Sequence, residues 1–174
     1  MILNGTMNKH DRNRKVARIL SLLMIASVVL MMAMFSSEAG DQSSTRSEQV
    51  ARFVAKTFVA GYEQMSAQAR AKVVERLQLP VRKAAHMAEF ALLGCWLYVF
   101  MHTQGRRCVA GMLWALLCAV ALACIDEGHQ MFVSGRGPSL RDVGIDSIGA
   151  VLGIVLSVFV TDKLSKWSKR RTAL

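Results

Sequence analysis

The sequence lacks the motifs by which many small enzymes and metal proteins are recognised. Its four cysteines form no CxxC pair and lie in or beside apolar runs, which favours small buried side chains over disulfides or a zinc site (Cys95, Cys108, Cys118 and Cys124). It contains no HExxH helix, no nucleophile elbow and no lipid-phosphatase signature. Internal repeats and low-complexity tracts are also missing. These absences predict no cofactor and leave open whether the protein is an enzyme.

Long apolar runs are what the sequence does have, and hydrophobic residues make up 53% of it. Residues 19–35 carry no charge, and at about 1.5 Å per residue such a run covers most of a hydrocarbon core roughly 30 Å thick. Three further runs are similar, so the predicted membrane helices are residues 19–35, 84–102, 109–125 and 143–161. The sequence therefore predicts an all-α protein, a bundle of four transmembrane helices.

Acidic residues are scarce, and the net charge of +10 is unevenly placed. Twelve basic residues, against only Asp11 and Asp162, lie before the first run, between the second and third, and after the fourth. This distribution is typical of membrane orientation and excludes a nucleic-acid footprint. It predicts a plasma-membrane protein with cytoplasmic basic tails at residues 1–18 and 162–174, a membrane domain at 19–161 and an extracytoplasmic loop at 36–83.

The loop at 36–83 carries helical patterns of its own. Ser47 is a plausible cap for an amphipathic helix, and a second helix is expected over residues 67–77. Pro80 then suits the first turn of the helix that enters the membrane. We therefore expect an extracytoplasmic amphipathic insertion between the first and second membrane helices, lying on the outer leaflet, with a moving lid as the alternative.

The first apolar run also fits a secretory signal. A basic stretch precedes it, and Ser37 and Ala39 would be the small residues before a cut. The run is longer than the usual h-region of about 7 to 15 residues, which favours a retained helix.

Charged and polar residues gather at the predicted outer ends of the helices, although they are distant in sequence. The candidate catalytic residues are His86, Glu89, Asp126, Glu127 and Asp146, and the candidate ligand-binding residues are Gln130, Arg136, Arg141 and Asp142. We expect Arg136 to pair with Asp126 or Glu127, and His86 to pair with Glu89 or Asp146.

The last apolar run has its own order of residue types. Ser139 reads as a helix cap with Asp142 answering from the first turn, and both Asp142 and Asp146 should face the bundle interior. Gly149 and Gly153 follow at helical spacing and predict close helix packing. No resident metal is predicted, since no two histidines share a helix face; His86, Glu89 and Asp126 are the set that would bind one.

Four stretches together resemble a known family. They are FSSEAGDQSS after the first helix, HMAEFALLG in the second, DEGHQMF in the third, and GRGPSLRDVGIDSIGAVLG leading into the fourth. These stretches resemble the VanZ-like membrane proteins, which are named for a teicoplanin-resistance factor, over roughly residues 19–160. The resemblance implies a four-helix integral membrane protein linked to the cell envelope and to glycopeptide susceptibility.

Three functions remain open at this point. The outer polar cluster could bind an envelope lipid or a lipid-linked wall precursor, with arginines on a phosphate and with carboxylates and Gln130 accepting hydroxyl or amide donors. It could instead be a membrane-embedded enzyme that works by acid–base or metal chemistry. It could also be structural, holding helices together without a ligand, although interhelical hydrogen bonds average only about 0.6 kcal/mol.

Overall fold

A computed structural model of the protein describes residues 8–106 and 108–171, which fold into α-helices and one short 3₁₀ turn, with no strand among them. The helices are α1 (Lys9–Ser36), α2 (Gly40–Phe58), α3 (Ala67–Thr103), α4 (Cys108–Gln130) and α5 (Leu140–Arg171), and the 3₁₀ turn is Tyr62–Gln64. The all-α prediction is confirmed. Much of each predicted basic tail is a helical extension of α1 or α5, while residues 1–7, 107 and 172–174 lie outside the described part of the chain.

Four of these helices are long and apolar enough to cross a membrane. The candidate spans are Asp11–Ser36, Ala67–Thr103, Val109–Gln130 and Leu140–Leu164, and each contains one of the four predicted segments. Large apolar side chains such as Leu23 and Phe159 are exposed on the outside of the bundle, where a lipid environment would cover them. The prediction of a four-helix membrane bundle is confirmed to this extent.

Helix α3 is the centre of the bundle, because it packs against each of the other four helices. Its closest partner is α5, and the two backbones approach each other at glycines. A Cβ atom added at Gly149 would collide with the backbone of Met87, and one added at Gly153 would collide with the backbone of Ala91. Gly94 of α3 meets Ala150 in the same way. Gly149 and Gly153 thus lie where the backbones of α3 and α5 come closest together, as close helix packing requires.

The start of α1 and the end of α3 meet at one end of the bundle, here called the basic end. Arg14 Nη2 donates to the carbonyl oxygen of Thr103 at 3.0 Å, and Arg18 bonds the side chain of Gln104. Because the spanning helices alternate in direction, the C-terminal end of α5 lies at this end too. The basic segments thus share one end, as the charge pattern predicts, and its cytoplasmic orientation stays a prediction.

Helix α2 begins earlier than predicted, at Gly40, inside the stretch that the sequence pattern assigned to a polar loop. The prediction of Ser47 as its cap is wrong, because Ser47 is buried in the helix and its hydroxyl donates to the carbonyl oxygen of Ser44. The small residues at four-residue spacing form the packing face towards α3: Ser43, Ser47, Ala51 and Ala55. Their small size, rather than apolar character, allows the helices to pack closely.

Helix α3 contains both the predicted second loop helix and the second membrane helix. The prediction that a helix starts near Pro80 is wrong, because Ala67–Thr103 is continuous with Pro80 inside it. Its cap is Ser66, which accepts from Ala69 N. Leu77 and Val81 pack against the cluster formed with α2, and this packing offsets the interior proline, which costs about 3 kcal/mol in a helix. With 37 residues, α3 is about 55 Å long and exceeds the thickness of a hydrocarbon core.

Candidate functional site

A polar cavity of about 140 Å³ lies at the end of the bundle opposite the basic end. It is formed by α3, the last turn of α4, the first turns of α5 and the loop at 131–139. Its lining residues are Arg82, Lys83, His86, Glu127, Gln130, Gly135, Arg136, Gly137, Asp142 and Asp146. Six of the nine predicted site residues therefore share one cavity, although they come from three helices and a loop.

The loop at 131–139 holds its arginine through backbone contacts with neighbouring segments. Arg136 Nη2 donates to the carbonyl oxygen of Phe35 at 3.1 Å, and Gly40 N donates to the carbonyl oxygen of Ser134 at 3.0 Å. Gly135 has φ +73°, and a Cβ added at Gly40 would lie 2.6 Å from the carbonyl oxygen of Gly135. Both positions thus require glycine. The end of α1 and the start of α2 thus hold the loop in place over the cavity.

Acidic side chains of the cavity are partly used in joining α4, α5 and α3. Glu127 Oε2 accepts from Ser139 N at 2.7 Å, and Ser139 Oγ accepts from Asp142 N at 3.3 Å, so the predicted Ser139 cap is confirmed. The prediction that the Asp142 carboxylate completes a capping box with Ser139 is wrong, because that carboxylate forms an ion pair with Lys83. Glu127 instead satisfies the backbone amide of the cap residue.

The predicted ion pairs of Arg136 are not formed. Asp126 Oδ2 accepts from Gln130 Nε2 at 2.9 Å, and the Glu127 carboxylate accepts from a backbone amide. Among the residues that the structure describes, no carboxylate forms an ion pair with Arg136 or with Arg82. Arg136 Nε is buried and has no hydrogen-bond partner among the described residues. Burial lowers the pKa of Arg136 first, and the nearby positive charge of Arg82 lowers it further.

One of the two pairings expected for His86 is confirmed. His86 Nδ1 lies 3.9 Å from Glu89 Oε2, which is an ion pair when the imidazole is protonated. Asp146 is only 2% exposed and faces the interior as predicted, whereas Asp142 is half-buried at the cavity wall. Asp126 lies outside the cavity, in a crevice between α1 and α4, although it interacts electrostatically with both His86 and Glu89. Within residues 8–106 and 108–171, no three His, Cys, Asp or Glu side chains are grouped so as to hold a metal ion.

The structure also changes which basic residues belong to the site. Arg141 is exposed and does not line the cavity, whereas Arg82 and Lys83 do. Sequence reasoning missed these two residues because it began the membrane helix at residue 84. Their spacing of four and three residues before His86 is the signal that a longer helix would have revealed, since such residues share a helix face.

A bundle of apolar helices with a polar cavity at one end is the architecture of a multi-pass membrane protein with a site near the membrane surface. The family model VanZ/LLP1 matches residues 19–161, so the chain belongs to the VanZ/LLP1 family. The match includes the whole of the candidate spans Ala67–Thr103 and Val109–Gln130, most of the other two spans, and every residue of the cavity. No curated protein and no solved structure shows significant similarity to the chain.

Proposed function

We propose that the protein binds the phosphate of an anionic envelope lipid, or of a lipid-linked wall precursor, at the cavity on the extracytoplasmic face of the plasma membrane. The single observation that carries this proposal is the pair of arginines, Arg82 and Arg136, that line the cavity while no carboxylate among the described residues forms an ion pair with either of them. Guanidinium groups bind phosphate oxygens through charge-assisted hydrogen bonds, and their planar fork suits two oxygens at once. An anion between them would also relieve their mutual repulsion.

The carboxylates of the cavity favour a particular kind of phosphate. Glu127, Asp142 and Asp146 line the same space as the arginines and would repel a second negative charge. Their oxygens, and that of Gln130, accept hydrogen bonds from hydroxyl or amide groups. The ligand favoured by this set is a phosphodiester, with one negative charge, attached to a headgroup that carries such donors.

Binding is tested by native mass spectrometry of the purified full chain in mixed phosphatidylglycerol and phosphatidylcholine. We expect the unsubstituted protein to retain phosphatidylglycerol preferentially. Arg82→Ala and Arg136→Ala should each lower its association constant about tenfold or more, because a hydrogen bond to a charged group contributes about 1.5–3 kcal/mol. Arg76→Ala is the matched control, since Arg76 is exposed on the same helix and lies outside the cavity. Equal retention by both cavity variants would contradict the proposal.

We also propose a cellular role in glycopeptide susceptibility, which the resemblance to VanZ-like proteins and this ligand class support. Sequestering or displaying an anionic envelope lipid would change the surface that teicoplanin meets. We expect Arg136→Ala to abolish any difference in teicoplanin susceptibility that the unsubstituted protein confers, while its amount in the membrane stays the same. Loss of the protein from the membrane would point to a structural role instead.

A second candidate function is an enzyme acting on the same lipid. It is favoured by His86, which lines the cavity while Glu89 lies 3.9 Å behind it, an arrangement suited to moving a proton. The binding experiment separates the two functions, because a bound lipid that is released with unchanged mass supports binding alone.

A further inference from the structure

An apolar groove of about 400 Å³ lies between the end of α1, α2 and α3. Apolar side chains from all three helices contribute to its wall, and Ser43, Ser47 and Glu89 line it too. The apolar residues are Phe35, Val50, Val54, Val81, Ala84 and Ala85. At its rim, Arg46 pairs with Glu38 at 2.5 Å and lies over the Phe35 ring, 4.7 Å from the ring centroid. The groove thus combines an apolar wall with charged residues, including the pair of Arg46 and Glu38 and the largely buried Glu89.

The groove and the polar cavity are neighbours that share part of their walls. Arg82, His86 and Arg136 line both of them. The two guanidinium groups, neither of which forms an ion pair with a described carboxylate, therefore stand where apolar and polar spaces meet. A molecule that reached into both would need a negative charge at its middle, a hydrocarbon part on one side and a hydrogen-bonding part on the other.

We infer that the groove binds one acyl chain of an anionic glycerophospholipid, whose phosphodiester lies on Arg82 and Arg136 and whose hydroxylated headgroup enters the cavity. This inference rests on the proposed function and names the lipid class. The phosphate supplies the charge that the arginines lack, and the headgroup hydroxyls donate to Glu127 and Asp142. The second acyl chain stays in the surrounding bilayer.

Two observations favour a glycerophospholipid over a polyprenyl carrier. The cavity of about 140 Å³ holds several waters, since one water needs about 10–15 Å³, but it suits a glycerol-sized headgroup better than a large saccharide. A bare polyprenyl phosphate has no hydroxyl groups for the carboxylates, and its second negative charge would face them. The groove adds selectivity by packing, because a chain leaving the bilayer gains no hydrophobic free energy.

The acyl-chain site is tested by filling the groove. Ala85→Trp places a large side chain in the groove wall, and Ala121→Trp makes the same change at an exposed alanine of α4 that lies outside groove and cavity. In native mass spectrometry with dioleoyl phosphatidylglycerol, we expect Ala85→Trp to lower the association constant about fivefold or more, since the chain loses its contacts with the wall. Both variants should bind soluble glycerophosphoglycerol, which has the headgroup but no chains, as the unsubstituted protein does.

Each outcome separates the acyl-chain site from the proposed function. If Ala85→Trp binds dioleoyl phosphatidylglycerol normally while Arg82→Ala and Arg136→Ala lose it, the groove inference is wrong and phosphate binding stands. If the arginine variants also bind it normally, the proposed function fails. Tighter binding of undecaprenyl phosphate than of phosphatidylglycerol by the unsubstituted protein would overturn the choice of glycerophospholipid and support a polyprenyl carrier.

Discussion

Arg136 is held by the carbonyl oxygen of Phe35, and no carboxylate among the described residues forms an ion pair with it. Arg141, which also precedes an aspartate-rich helix face, is exposed. The difference follows from helix geometry. Asp142 and Asp146 face α3 and the cavity, and a residue one position before Asp142 points about 100° away from that face. Arg141 therefore turns towards the surroundings, and sequence proximity to the acidic residues does not make it a site residue.

Gly153 has the closest backbone neighbour of the glycines that the structure describes. A Cβ there would overlap the carbonyl oxygen of Ala91, whereas a Cβ at Gly144 on the same helix would meet nothing within 4 Å. We expect Gly153→Ala to lower the free energy of unfolding by about 1–3 kcal/mol through overpacking. Gly144→Ala should raise it by about 0.5–1 kcal/mol, because alanine favours the helix. Unfolding in detergent, followed by circular dichroism, measures both, and an unchanged Gly153→Ala would show that α3 and α5 can separate freely.

At the scale of elements, Pro80 lowers the stability of α3. The proline has no amide hydrogen, so the carbonyl oxygen of Arg76 loses its helical donor, and the exposed ring gains little packing in return. We expect Pro80→Ala to raise the free energy of unfolding by up to about 3 kcal/mol and to slow amide hydrogen exchange over residues 76–84. A fall in thermal stability would instead mean that a proline-induced bend is needed to seat α3 against α2.

The apolar elements could be predicted from the sequence, and the polar ones could be predicted only in part. Uninterrupted apolar runs and the distribution of Lys and Arg were sufficient for the four spanning helices. Ser43 and Ser47 led to the wrong predicted start of α2, because serine is common in turns and caps. In this helix their small size instead suits the contact with α3. Arg82 and Lys83 were missed for a related reason: tertiary packing against α2 keeps α3 helical through Pro80, and no local signal reports that packing.

The site residues show the same limit. Helix ends and periodicity could place His86, Glu127 and Asp146 at one end of the bundle, because those positions follow from the spans. Hydrogen bonds to backbone groups could not be foreseen, since Phe35 and Ser139 offer ordinary main-chain atoms to Arg136 and Glu127. Predicted charge pairs therefore failed where the backbone was the better partner.

At the scale of the whole molecule, the two ends of the bundle should lie on opposite sides of the membrane. Ser134 is exposed beside the cavity, and Lys163 is exposed near the basic end. In a background without the native cysteines, we expect Ser134→Cys to react with a membrane-impermeant maleimide in intact cells, because the orientation predicted from the Lys and Arg distribution places it on the extracytoplasmic side. Lys163→Cys should react only after permeabilisation. The reverse pattern would place the cavity in the cytoplasm and remove the basis for an envelope ligand.

The contact between Arg136 and Phe35 also bears on how the protein matures. A leader peptidase cutting after Ala39 would take away the carbonyl group that steadies Arg136, together with Val28 and Met32 of the core. The chain left behind would start at Gly40, with its new amino group against Ser134 and an added positive charge against the loop that carries Arg136. A processed form would thus lose the support of Arg136 along with the first helix, so we expect the proposed lipid binding to require an intact amino-terminal segment.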